Sequence, residues 1–129
     1  MVNEAFGWLL IGLGFASGAL LGMGFAREGF LGGYSAWPRR LVRLGHISLV
    51  ALGVLNILFA TSSPRIAVAA PWLSAASWSM VAGSILMPAC CAISAWRPRT
   101  VPLFAVPVLL LSLGVTVAWI GLFLGWRAS

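Results

Sequence analysis

The chain contains no lysine and no aspartate, and its only carboxylate side chains in 129 residues are Glu4 and Glu28. Neither glutamate lies inside an uncharged apolar run, so a proton-coupled exporter built around a membrane carboxylate is unsupported. The same shortage leaves the serines without the acid that a Ser/His/acid hydrolase needs. There is one histidine, His46, and the two cysteines, Cys90 and Cys91, are sequence neighbours that do not readily bridge each other. No C-x-x-C pair offers thiol–disulfide exchange, and no glycine-rich phosphate loop follows a strand pattern. Long polar segments are missing as well. The longest, REGFLGGYSAWPRR at 27–40, is too short for a soluble domain. We find no internal repeat and no low-complexity tract.

What is present is apolar: 61% of residues are hydrophobic, 8% are charged, and the mean hydropathy is +1.04. Soluble domains carry about 25% charged residues, so this composition points to a membrane protein. The charges divide the chain into four uncharged runs, 5–26, 44–64, 66–96 and 100–126. Each is long enough to cross a hydrocarbon core of about 30 Å, which takes roughly 20 helical residues. The runs are too long for barrel strands and show no polar/apolar alternation. Backbone groups in lipid must then be satisfied within helices. The expectation is an all-α polytopic integral membrane protein, a single domain of four transmembrane helices (6–26, 41–62, 72–96 and 102–126) in an antiparallel bundle.

Charge placement orients that bundle. Arg27, Arg39, Arg40 and Arg43 flank the first connection and Arg97 and Arg99 the third, against Arg65 alone in the second and Arg127 at the C-terminus. By the positive-inside rule, connections one and three face the cytoplasm and both termini the periplasm. The N-terminal MVNEAFGW lacks a basic region and a cleavage site, so helix one is expected to remain as a signal anchor. Trp8, Trp72 and Trp126 fall at one set of helix ends and Trp37 and Trp96 at the other, as two interfacial aromatic belts require. The net charge of +6 then belongs to phospholipid headgroups rather than nucleic acid. The Ala, Gly and Arg bias matches a GC-rich bacterial genome, hence a bacterial inner membrane.

Close helix packing is signalled by Gly14, Gly18 and Gly22 at four-residue spacing on helix one, which leave a groove for another helix of this chain or of a second copy. Gly53 on helix two and Gly83 on helix three belong to further small-residue stripes. Pro88 predicts a kink near 84–88 in helix three. Pro102 suits the start of helix four, and Pro107 predicts a second bend.

On helix two, Arg39, His46, Gly53 and Ala60 recur every seven residues beside Val42, Leu49, Asn56 and Ser63, forming a stripe that is expected to face protein. His46 and Asn56 are the candidate ligand residues of that stripe. Met23 on helix one, and Met87, Cys90 and Cys91 on helix three, are expected at a similar depth. Histidine with methionine is an axial pair that haem iron accepts, and imidazole with soft sulfur suits copper. A quinone hydrogen-bonded by His46 or Asn56 is another reading, and a plain interhelical hydrogen bond a third. With so little polarity left for chemistry, the leading expectation is a non-catalytic accessory or structural subunit, without a cofactor, of a larger bacterial inner-membrane complex, with bioenergetic complexes as natural hosts. Its partners are then other membrane subunits and phospholipids. A haem-, metal- or quinone-binding subunit using His46, and a small oligomeric channel or transporter, are the alternatives.

Overall fold

The computed structural model describes residues 2–128. The chain folds into four helices, α1 (Val2–Phe25), α2 (Trp37–Ser62), α3 (Ala70–Trp96) and α4 (Ala105–Ala128), with short 3-10 turns at Phe30–Gly32, Ser63–Arg65 and Pro98–Phe104 between them. The described fold is all-helical, and all four helices are long and apolar enough to cross a membrane. The shortest have 24 residues, or about 36 Å at 1.5 Å per residue.

Local chemistry explains where the helices start, and it moves all four expected starts, that of α3 least, from 72 to Ala70. Helix α1 begins at Val2 rather than 6, with Glu4 in its first turn, where a carboxylate complements the positive end of the helix dipole. Trp37-Pro38 opens α2, four residues ahead of the expected start at 41. Pro38 sits at a position whose N–H would have had no helical partner. Pro102 lies within the 3-10 turn, and α4 begins at Ala105, not 102. Pro107 therefore falls in the first turn of α4, where proline causes no bend, because no intrahelical bond is lost there. The first connection reverses through three consecutive positive-φ residues, Leu31, Gly32 and Gly33, and the two glycines adopt that conformation without a Cβ clash.

The helices pack in series, α1 on α2, α2 on α3 and α3 on α4, with a lighter α1–α3 contact. Among the described residues no comparable seam joins α1 to α4. The α1–α2 seam is built on glycine: a Cβ at Gly7 would lie 2.6 Å from the Gly53 carbonyl oxygen, one at Gly53 would lie 2.7 Å from the Gly7 oxygen, and one at Gly14 would meet the Val50 side chain. A Cβ at Gly18 would lie 2.6 Å from the His46 ring, whereas Gly22 has nothing within 4 Å. The groove is thus Gly7, Gly14 and Gly18, and Gly22 is not part of it. At 100° per residue, Gly14 and Gly18 each lie about 20° from Gly7 around the helix, while Gly22 has rotated about 60° away.

Gly83 faces α4, where a Cβ would lie 2.7 Å from Leu111. Gly121 and Gly125 on α4 leave a notch for the chain at 65–68, and the Ala67 N–H donates to the Gly121 carbonyl at 3.0 Å. Ile66 is thereby buried with Phe59, Ala76 and Met80 in the apolar core.

Candidate functional sites

Three polar clusters lie among these apolar helices. The first joins α1, α2 and α3 near the end opposite the arginine-rich connections. Asn3 and Asn56 are both fully buried. The Asn3 amide donates to Asn56 Oδ1 at 2.9 Å and to the Ser77 carbonyl at 3.1 Å, and its own oxygen accepts from the Ser77 hydroxyl. Asn56 donates to the Leu52 carbonyl at 2.9 Å and to Ser84 Oγ at 2.8 Å. Both amides therefore use both N–H groups and engage the oxygen, so they present no free N–H to a ligand. Asn56 is a three-helix fastener. Asn3 precedes Glu4 and so lies outside the first uncharged run, and Ser77 and Ser84 carry no sequence signal beyond being small residues seven apart.

The second cluster contains His46. Ser17 Oγ lies 3.0 Å from the Gly14 carbonyl oxygen and 3.1 Å from His46 Nδ1. A hydroxyl has one proton: given to Nδ1, it leaves the ring proton on Nε2; given to the Gly14 carbonyl, which can only accept, it leaves Ser17 to accept from a protonated Nδ1. In the latter arrangement Nε2 of the neutral ring carries the lone pair. Among the described residues every fully buried side-chain nitrogen or oxygen has a partner, and Nε2 makes no hydrogen bond, so it is not sealed off. The absence of a side chain at Gly18 makes the room the ring occupies.

His46 lines a cavity of about 350 Å³ shared by α1, α2 and α3, with Ser17, Leu20, Leu21, Val42, Gly45, Leu49, Pro88, Ala92 and Trp96. The expected companions of His46 lie elsewhere. Asn56 is ten residues along α2, about 15 Å away in rise, and is engaged in the other cluster. Met87 is not on the cavity wall, and Met23 is 67% exposed. Cys91 packs its Cβ against Gly45, and Cys90 contacts the Leu103 carbonyl. The periodic stripe on α2 is real as a protein-facing surface, but it serves separate sites because ten residues of helix intervene. Among the described residues no three His, Cys, Asp or Glu side chains converge as a metal site.

The third cluster corrects the reading of Arg39 as a headgroup anchor. Arg39 is only 8% exposed. Its guanidinium donates to the carbonyls of Phe25 (3.0 Å) and Glu28 (3.3 Å) and lies 4.9 Å from the Phe25 ring centroid. A cation at the negative end of α1 satisfies carbonyls left without helical partners. Arg43 stacks 5.4 Å from the Tyr34 ring in the same connection. Arg27, Arg40, Arg97 and Arg99 are exposed, as a headgroup role requires. Trp37 keeps its ring part exposed while its indole N–H donates to the Ser94 carbonyl at 2.9 Å.

No protein-family model, no curated protein and no solved structure matches this chain.

Proposed function

We propose that the protein is a non-catalytic integral membrane subunit that acts through helix–helix and lipid contacts, an accessory component of a larger bacterial inner-membrane complex. The observation that carries this reading is the division of polarity. The interior amides, Arg39 and the buried serines bond to the chain itself, and what remains outside on α1 and α4 is large and apolar: Trp8, Phe15, Leu109 and Trp119 are each more than 60% exposed. Such surfaces are tolerated in lipid or beneath a partner helix, not in water.

In this reading the four helices cross the membrane as an antiparallel bundle, and the falling order of α2 partners along α1 supports alternating directions. The exposed Arg27, Arg40, Arg97 and Arg99 meet cytoplasmic phospholipid headgroups, and both termini are periplasmic. Partner subunits are expected on α1 or α4, whose outer faces lack an intramolecular neighbour. Mild extraction followed by native electrophoresis tests this. Comigration with other membrane proteins is expected; migration alone, or only with copies of itself, refutes the subunit assignment.

A further inference from the structure

We propose that the His46 cavity binds a lipid-soluble hydroquinone, with His46 Nε2 accepting a hydrogen bond from a ring hydroxyl. This assignment does not depend on the subunit reading and survives its failure. The selectivity comes from Ser17. When Ser17 donates to Gly14 and accepts from Nδ1–H, the imidazole presents an acceptor, not a donor, at Nε2, and this is the arrangement the assignment takes. An oxidised quinone offers only carbonyl acceptors and meets that lone pair without a bond. A phosphate headgroup is an anionic acceptor and finds no cation on the wall. A phenolic hydroxyl is complementary.

The rest of the wall suits a ring with an apolar tail. Besides Ser17, His46 and the Trp96 indole, whose N–H is a donor, it is formed by glycine and apolar side chains, including Leu20 and Leu49, and its volume of about 350 Å³ falls within the range of small-ligand sites. Leu20 and Trp96 are 66% and 65% exposed, so the cavity reaches the outer surface between α1 and α3, on the side where a membrane-dissolved molecule arrives. The same Nε2 lone pair could coordinate haem iron. However, no second sulfur or nitrogen ligand and no arginine for the propionates lies on the wall.

Because His46 is the only histidine, histidine-specific 15N labelling of the full-length detergent-solubilised protein reports on this ring alone. The probes are a decyl-substituted hydroquinone, its oxidised quinone and its dimethyl ether. The ligand-free protein should show a protonated Nδ1 and an unprotonated Nε2. The hydroquinone should move the Nε2 resonance and bind at least about ten-fold more tightly than either analogue, the loss expected when a buried acceptor goes unpaired. Ser17→Ala, which releases the ring, should shrink that preference. Ala92→Phe, at an exposed position on the cavity wall, should abolish binding while the Nδ1 signal persists. Equal binding of the three probes, binding unaffected by Ala92→Phe, a protonated Nε2 in the free protein, or a haem titration giving a His46-dependent Soret band would each overturn the assignment.

Discussion

Replacing Asn56 by leucine tests the logic of the buried amide cluster most directly. The substitution keeps roughly the same volume but removes two interhelical bonds, one accepted from Asn3 and one donated to Ser84. Interhelical hydrogen bonds in membrane proteins contribute about 0.6 kcal/mol on average and up to about 1.7 kcal/mol. Two of them account for about 1–3 kcal/mol. The Asn3 amide is left with one unpaired N–H at a fully buried position, which places the expected loss toward the upper end, about 2–3 kcal/mol. Asn3→Leu should cost a similar amount, since it strands Asn56 Oδ1 and the Ser77 hydroxyl. The double variant should cost well under the sum, because each single change already forfeits the shared bond and the second removes the stranded partner. A coupling of at least about 1 kcal/mol is expected for residues in one network. Reversible unfolding in mixed micelles titrated with a denaturing detergent measures all four proteins. Additivity within about 0.5 kcal/mol would refute the cluster, since that is how distant, independent sites behave.

Two further outcomes follow from the packing. Gly7→Ala should destabilise the α1–α2 seam by about 1–3 kcal/mol, because its Cβ would meet the Gly53 carbonyl and a backbone atom cannot swing aside, while Gly22→Ala should change stability by less than about 0.5 kcal/mol; the same micelle titration compares them, and equal sensitivity would remove Gly7 from the seam. Arg39→Lys retains the charge but not the planar fork that reaches two carbonyls, so the first connection should become a faster site of limited proteolysis, whereas Arg40→Lys should leave the digestion rate unchanged.

Much of the fold could be read from local pattern. The four spans stand out because charges are confined to their ends, and that signal is independent of which helix touches which. Small residues also declared that close packing exists. Gly14 and Gly18 were identified by spacing, but Gly7 was not, since the reading followed one four-residue repeat rather than the angular position of each glycine. Arg39 shows the opposite limitation. Its charge resembles that of neighbouring Arg40. Its seven-residue register with His46, Gly53 and Ala60 already sets it on the protein-facing stripe, but the carbonyls it meets beneath the first connection lie 11 and 14 residues away and have no local signal.

The candidate sites divide in the same way. His46 and Asn56 could be singled out because polar groups in apolar runs are rare and costly. Their roles could not, because a role depends on the atoms opposite. Ser17, reached across 29 residues, fixes the histidine ring, and Asn3, across 53, completes the amide cluster. The linear order of residues by itself determined that this chain forms four long apolar helices with basic ends, since that outcome follows from transfer energies summed along each segment. Only the tertiary structure decided which polar groups are bonded within the bundle and which, like the His46 ring, line a cavity, because hydrogen bonding is settled by partners within about 3 Å that lie far apart along the chain.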